Sequence, residues 1–347
     1  MTIEEITKNS NLDAMLFFSP ENRFWLTDFR SSLGFLFVVE QKNYLFVDGR
    51  YITEAQKSIN NKQTEVKNLS WISIRSFLQE KNIQLLGFEK DYITVAQLET
   101  WKKETPEISW VGIETSKIRI IKTEKEVERM RWAAQITDQV YQKLLRIVKP
   151  GMSEKELSKF IRNSFEELGI EELSFDTIVV SGENEALPHG QPSDKIIKEG
   201  ELITVDFGCK YQGYCSDFTR TFAVGKEIDP KLKEIYQIVK EAQWKGIQAV
   251  KAGVKCSEID QIVRDYIQQE GYGKYFVHST GHGLGIEVHE NPSISSRDNT
   301  ILQPGMVITI EPGIYIPSLG GVRIEDDVLV TETGYELLTK SSRELMV

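Results

Sequence analysis

GELITVDFG at residues 200–208 and GMVITIEPG at residues 305–313 are two copies of one pattern, and this duplication decides the fold. Each copy is an apolar run between two glycines, which predicts a buried strand with a turn at either end. The apolar run ends in a carboxylate in both copies, Asp206 in the first and Glu311 in the second. A strand that recurs about a hundred residues later with the same ending predicts a domain of two related halves around a pseudo-twofold axis.

Helix-start signals precede each copy. Thr123 and Ser153 are each followed three residues later by a glutamate, a capping box that predicts a helix start at both places. In the second half, Asp229 caps a helix that has proline at its first position, and Ser257 is predicted to cap the next helix. The two halves are therefore expected to repeat an order of two helices followed by strands.

A second carboxylate follows each repeated strand. Asp217 comes after Asp206, and Glu325 comes after Glu311, each predicted to lie on a further strand. We expect the four carboxylates to meet at the seam between the two halves. Burial of an ionised carboxylate is costly, and four of them close together repel one another, so the cluster requires a cation.

Two kinds of cation fit such a cluster. Arg220 and Arg323 lie nearby in the sequence and offer structural ion pairs. Two divalent metal ions match the four carboxylates in charge, with His282 as a single imidazole ligand. Oxygen ligands favour Mn²⁺, with Co²⁺, Fe²⁺ or Zn²⁺ as alternatives. Two metal ions about 3.5–4 Å apart can share a water molecule, lower its pKa and stabilise a hydrolytic transition state, so the pattern favours a metallohydrolase.

All four histidines of the chain lie beside glycine, proline or carboxylate residues, which favours a site: His189, His278, His282 and His289. For His189 a satisfied loop residue is the open alternative. His278 and His282 are four apart, but the glycines on both sides of His282 favour a loop or strand, so the spacing does not predict that both are metal ligands. The GHGLG run that contains His282 lacks the order of a P-loop, which argues against nucleotide binding.

Residues 1–120 are predicted to form a separate α/β domain, and residues 121–347 the domain of two halves. Four apolar runs alternate with polar helical stretches in the first part: Ala14–Ser19, Gly34–Val39, Tyr44–Val47 and Leu85–Phe88. The predicted fold class is α+β.

Composition narrows the classes of partner. The formal net charge of −10 argues against nucleic acid, because phosphate binding depends on clustered Lys and Arg. We find no uninterrupted apolar run that would span a bilayer, so no membrane partner is expected. Cys209, Cys215 and Cys256 show no CxxC spacing and suit reduced thiols in the cytoplasm. A small or cationic ligand stays compatible with this charge.

Several motifs resemble those of the "pita-bread" metallopeptidases, specifically the proline-directed branch of prolidase (Xaa-Pro dipeptidase) and aminopeptidase P. They are VDFG, SDFTRT, HSTGHGLGIEVHE, ITIEPGIYIP and GGVRIEDD, together and in order within residues 188–330. NRFWLTDFRSS and FVDGRY resemble the creatinase-like N-terminal domain of that branch. The resemblance implies a metal-dependent exopeptidase that acts on small peptides with proline at the second position, commonly as a homodimer.

The resemblance also implies roles for individual residues. Asp206 would bind one metal ion, His282 and Glu311 the other, and Asp217 and Glu325 both. Glu311 would also move a proton from the attacking water to the leaving imino nitrogen. The remaining roles fall to His278 and His289, which would contact the substrate carbonyl and its oxyanion, to His189 at the border of the pocket, and to Arg323 as an organiser of the ligands.

Related activities stay open as alternatives. Methionine aminopeptidases share the ligand set but usually lack the N-terminal domain, creatinase has the domains without the metal set, and a non-enzymatic peptide-binding or protein-binding member of the fold would have lost ligands. Between dipeptidase and aminopeptidase P, some prolidases carry an arginine shortly after VHE that binds the substrate carboxylate. Here Ser293 stands near that position, and Arg297 is the candidate substitute.

Overall fold

The computed structural model describes residues 2–59, 61–225 and 227–346. The chain divides into two compact units, Met1–Ile118 and Arg119–Val347. Among the described residues, no helix has both the length and the apolar character needed to cross a bilayer.

The first unit is built on one mixed sheet. Its strands are β1 (Ala14–Phe17), β2 (Phe35–Val39), β3 (Lys42–Val47), β4 (Thr64–Asn68), β5 (Leu85–Glu89) and β6 (Ser109–Ile113). The order across the sheet is β4-β3-β2-β1-β5-β6. The pairs β1–β2 and β2–β3 are antiparallel, whereas β3–β4, β1–β5 and β5–β6 are parallel. Each of the four predicted runs contains a strand, but β1 ends at Phe17 rather than Ser19, and a tight turn instead of a helix joins β2 to β3.

Helices cover this sheet. They are α1 (Ile3–Asn9), α2 (Pro20–Thr27), α3 (Ile52–Ser58), α4 (Trp71–Glu80) and α5 (Val95–Glu104). Alternate residues of each central strand enter different apolar clusters; in β1, Leu16 belongs to one cluster and Met15 to the other. Because successive side chains of a strand point to opposite faces, the sheet is buried on both faces, as expected for an α/β layer.

Two helix pairs frame the second unit: α6 (Glu124–Leu145) with α7 (Glu154–Glu167), and α8 (Pro230–Ala249) with α9 (Cys256–Gln269). The capping boxes at Thr123 and Ser153 are confirmed, and so is the cap at Asp229, whose side chain accepts from the Lys231 N–H. The buried faces of both helix pairs pack against strands of the second unit.

The predicted helix start at Ser257 is wrong. α9 begins at Cys256 with Lys255 as its N-cap residue, so the cap lies two residues before the predicted one. The backbone N–H groups of Cys256 and Ser257 donate to the carbonyls of Thr300 and Asp298, at 3.0 and 2.9 Å. A distant segment satisfies these donors, so Ser257 is not needed as a cap, and the Glu258 carboxylate accepts from the Lys255 N–H at 3.3 Å.

The strands of the second unit repeat in the same way as the helices. The first half has β7 (Ile178–Ser181), β8 (Leu202–Asp206), β9 (Lys210–Tyr211), β10 (Tyr214–Cys215) and β11 (Thr219–Ala223). The second half has β12 (Gly281–Gly283), β13 (Glu290–Ile294), β14 (Val307–Ile310), β15 (Gly313–Ile316), β16 (Gly320–Arg323), β17 (Asp326–Val330) and β18 (Tyr335–Leu337). Sheet orders are β11-β8-β7 and β13-β12-β14-β17-β18, with hairpins β9–β10 and β15–β16.

The duplicated stretch provides the equivalent strands β8 and β14. Gly200 and Gly305 precede them with φ of 82° and 86°, the left-handed region that favours glycine. A Cβ at Gly200 would lie 2.3 Å from the Glu227 carbonyl oxygen, so this turn also excludes a side chain on steric grounds. Both strands therefore start from the same kind of turn, and both deliver a carboxylate at the far end.

Candidate metal centre

One cavity of about 460 Å³ in the second unit contains all the predicted metal ligands and the four histidines of the chain. Its walls include Asp206, Asp217, His282, Glu311 and Glu325, the five predicted ligands, together with His189, His278, His289 and Arg323. The structure thus brings together side chains that are more than a hundred residues apart in the chain.

The strands explain why the carboxylates meet. Asp206 is the last residue of β8, and Glu311 directly follows β14. Asp217 and Glu325 were predicted on further strands, but they lie just before β11 and β17. The Glu325 backbone N–H donates to the Thr219 carbonyl at 3.1 Å, which joins the two halves where all four acids converge.

His282 presents a nitrogen lone pair to the carboxylates. Its Nδ1 lies 3.0 Å from the Gly283 carbonyl oxygen, which can only accept, so Nδ1 carries the proton and Nε2 is left without one. Burial lowers the pKa of His282 to about 4, so the ring is neutral at pH 7. Nε2 lies 3.6 Å from Asp217 Oδ2 and 3.4 Å from Glu311 Oε1. An acceptor nitrogen aimed at two carboxylates becomes favourable when a cation or a proton lies between them.

The properties of the carboxylates also indicate a metal site. Burial raises the pKa of Asp217 well above its usual range, and the Glu325 carboxylate raises it further. Burial likewise raises the pKa of Glu311 to about 8. Asp206 Oδ1 and Glu325 Oε1 are buried oxygens without a hydrogen-bond partner. One oxygen each of Asp217 and Glu325 and one nitrogen of His282 lie within 4.8 Å of one another. This donor set fits a divalent metal ion.

Ion pairing to arginine accounts for one carboxylate of the four. Arg323 Nη2 donates to Asp206 Oδ2 at 2.6 Å, whereas Arg220 pairs with Asp326 instead, at 2.7 Å. In the described part of the chain, no Lys or Arg forms an ion pair with the remaining three acids: Asp217, Glu311 and Glu325. Arginines therefore cannot replace metal ions as the compensating charge.

Arg323 organises one wall of the cavity. It donates to the Tyr315 hydroxyl at 3.0 Å and to the Pro188 carbonyl at 3.1 Å, and its Nε donates to Thr219 Oγ1 at 3.2 Å. The Tyr315 hydroxyl lies 2.9 Å from His278 Nε2. His278 Nδ1 is 2.8 Å from the Ser279 carbonyl oxygen and carries the proton, so Nε2 accepts from Tyr315. Both nitrogens of His278 are therefore engaged.

His289 and His189 lie nearer the opening. The His289 ring stands edge-on to the His282 ring at 4.4 Å, and burial lowers the pKa of His289 below its usual value. His189 is exposed at the cavity border. Arg297, the candidate for carboxylate binding, is exposed in the turn after β13 and is not among the lining residues.

Two contributors to the site, Thr219 and Tyr315, were not predicted from the sequence. Thr219 Oγ1 donates to Glu325 Oε2 at 2.6 Å and so orients a predicted ligand. Tyr315 connects His278 to Arg323, as described above. Both lie inside motifs that carry the family resemblance, so the signal was their position beside predicted site residues.

Comparisons with known proteins agree with this architecture. A family model described as "Metallopeptidase family M24" matches residues 128–332, and one described as "Creatinase/Prolidase N-terminal domain" matches residues 2–121. The chain belongs to metallopeptidase family M24, and the family implies divalent metal ions. The predicted fold, a creatinase-like N-terminal domain followed by a pita-bread catalytic domain, is confirmed.

Several relatives are similar over nearly the whole chain. An Xaa-Pro dipeptidase of Pyrococcus furiosus is 39% identical over 99% of this chain and 99% of its own. The structure of an Xaa-Pro dipeptidase from Bacillus anthracis matches with a TM-score of 0.93 at 40% identity, covering 99% of this chain and 98% of that one. An X-Pro aminopeptidase structure from Thermotoga maritima has a TM-score of 0.91 at 31% identity and covers 99% and 100%.

Proposed function

We propose that this protein is a metal-dependent exopeptidase that hydrolyses Xaa-Pro bonds and releases the N-terminal residue. The observation that carries the proposal is the His282 lone pair directed at buried carboxylates that lack an arginine partner. The similarity to an Xaa-Pro dipeptidase and an X-Pro aminopeptidase supports the substrate class.

We propose two metal ions, most favourably Mn²⁺, with Co²⁺, Fe²⁺ or Zn²⁺ as alternatives. Asp206 would hold one ion, His282 and Glu311 the other, and Asp217 and Glu325 both. When bound, the metal ions would lower the pKa of a water molecule and polarise the scissile carbonyl. The Gly283 carbonyl orients His282 for this role, and Thr219 orients Glu325.

The protein side chains supply the remaining steps. We assign to Glu311 the transfer of a proton to the leaving imino nitrogen, because its carboxyl group lies beside His282 at the centre of the site. His289, neutral and near the opening, would hydrogen-bond to the substrate carbonyl. Since both nitrogens of His278 are engaged, we propose that it positions Tyr315 and Arg323.

The cavity lining is compatible with proline and with substrates of different length. Apolar or aromatic lining residues offer a surface for a pyrrolidine ring: Phe175, Ile178, Pro188, Val288 and Tyr315. Among the described lining residues, Arg323 is the one permanently charged cation, and it is already paired with Asp206. A free substrate carboxylate therefore meets no dedicated cation, so we propose that both Xaa-Pro dipeptides and longer Xaa-Pro peptides are hydrolysed.

Product analysis tests the proposal. The Mn²⁺-loaded protein, with an EDTA-treated control, is given an Xaa-Pro dipeptide and an Xaa-Pro-Xaa tripeptide in one mixture. Metal-dependent release of the first residue from both supports the proposal, and release from the dipeptide alone would identify a strict dipeptidase. Cleavage of neither substrate would contradict the proposal and turn attention to methionyl peptides.

We further propose a homodimer in the cytoplasm. The family resemblance supports the dimer, and three buried free thiols suit a reducing compartment. Separately from the dimer, the domain boundary that divides the chain into residues 1–120 and 121–347 stays a prediction. Light scattering coupled to size-exclusion chromatography tests the dimer, and a monomer mass at micromolar concentration would contradict it.

A further inference from the structure

The geometry points to Glu154 as a positioning residue for the active-site border. We propose that its carboxylate clamps both ends of residues 182–192, here called the border segment, and thereby sets the position of His189 and Gln191 over the metal centre. The inference rests on the proposed function, because the border segment matters for catalysis only if this cavity binds substrate.

The border segment forms part of the cavity wall. It begins after β7 with a 3₁₀ turn, Gly182–Ala186, and then places Pro188, His189 and Gln191 among the lining residues. The Pro188 carbonyl accepts from Arg323 Nη1 at 3.1 Å. A shift of the segment would therefore move the wall and disturb the arginine that holds Asp206.

Glu154 joins the two ends of this segment. Its Oε1 accepts from the Ser181 backbone N–H at 2.8 Å and from Ser181 Oγ at 2.9 Å. Its Oε2 accepts from the Ser193 backbone N–H at 3.0 Å and from Ser193 Oγ at 2.6 Å. Asn184, inside the segment, donates to Oε1 at 3.1 Å. The side chain is completely buried, so water cannot replace these partners.

A carboxylate is the group that this clamp requires. Every partner around Glu154 donates, so both of its oxygens must accept. The charge is supported by its place in the first turn of α7, where the helix dipole favours an anion. Lys195 Nζ donates to Ser181 Oγ at 2.9 Å, so the Ser181 hydroxyl is left to donate to Glu154. A glutamine would direct an NH₂ group at the donors of Ser181 or Ser193, and the side-chain contact at one end of the segment would be lost.

Glu156 provides a matched control. It lies in the same helical turn as Glu154 and accepts from the Ser153 N–H at 2.7 Å as part of the capping box, without contact to the border segment. Glu154→Gln and Glu156→Gln therefore both remove a charge from the start of α7, but only the first alters the clamp. Glu154→Asp, which restores the charge on a shorter side chain, completes the series.

Hydrogen exchange of the Mn²⁺-loaded protein tests the clamp itself. We expect amides of residues 182–192 to exchange about tenfold faster in Glu154→Gln than in Glu156→Gln, with unchanged exchange in β8 and β14. Glu154→Asp should lie between Glu154→Gln and the wild type. Equal exchange in the two Gln variants would overturn the clamp, whether or not the protein hydrolyses Xaa-Pro bonds.

A double-mutant cycle with His189→Ala tests the link to catalysis. Displacement of a positioned group by about 1 Å can cost a hundredfold in rate, so we expect Glu154→Gln to lower kcat/KM on an Xaa-Pro-Xaa peptide about tenfold or more. If Glu154 acts through the segment that carries His189, this loss shrinks in the His189→Ala background. Fully additive losses would overturn the positioning role, whereas a wild-type protein without Xaa-Pro hydrolysis would instead contradict the proposed function.

Discussion

Lys122→Met tests whether a buried ion pair holds the loop that carries His289. Lys122 Nζ lies 3.0 Å from Glu290 Oε2, and the two side chains are 2% and 3% exposed. Arg119 contacts the other carboxylate oxygen at 3.1 Å, so one cation remains after the substitution. Breaking a buried pair costs about 3–5 kcal/mol, and because Arg119 stays, we expect the unfolding free energy to fall by about 3 kcal/mol at pH 7.

The pKa of Glu290 determines how the loss of stability in Lys122→Met depends on pH. Burial works to raise the pKa of Glu290, but the charges of Lys122 and Arg119 lower it below its usual value. A carboxylate with a lowered folded-state pKa stabilises the fold above its unfolded-state pKa, about 4.3, and this contribution is lost as the pH falls through the folded-state pKa. In Lys122→Met, protonation of Glu290 removes the need for a cation, so the deficit shrinks in acid.

Urea denaturation of both proteins at pH 7 and pH 4 measures this effect. The expected result is a deficit of about 3 kcal/mol at pH 7 that is clearly smaller at pH 4. A deficit below about 1 kcal/mol at pH 7, typical of exposed pairs, would show that the Lys122–Glu290 pair does not stabilise the fold in this way, and so would the same deficit at both pH values.

Three further substitutions probe the site. Asp217→Asn should lose bound metal and activity together, as measured by elemental analysis and peptide hydrolysis; full activity without metal would contradict the ligand role. Thr219→Val removes the hydrogen bond that orients Glu325, so a titration should show metal affinity lowered about 10–100-fold, and unchanged affinity would argue against it. His289→Ala should keep its metal but lose turnover, and an unchanged kcat would remove His289 from catalysis.

Local patterns predicted the framework of the second unit well. The capping boxes at Thr123 and Ser153 and the Asp229 cap depend on contacts within three residues, so the sequence contains the whole signal. The prediction at Ser257 is wrong because the carbonyls of Asp298 and Thr300, from a distant segment, accept from the first N–H groups of α9.

The same distinction between local and distant contacts applies to the residues of the site. Asp206 and Glu311 were predictable because duplicated apolar strands lead to each of them. The contributions of Tyr315 and Glu154 were not, because each depends on partners from separate segments that only the folded chain brings together. The engaged nitrogens of His278 likewise became visible only in the structure, and they change its proposed role from substrate contact to positioning.

The most direct test of the central claim is the number of Mn²⁺ ions bound per chain, followed together with Xaa-Pro hydrolysis as metal is removed by EDTA and returned. We expect two ions at saturation, loss of hydrolysis on their removal, and recovery as they are replaced. Full hydrolysis by a protein from which all metal has been removed would contradict the claim that these carboxylates and His282 form a catalytic metal centre.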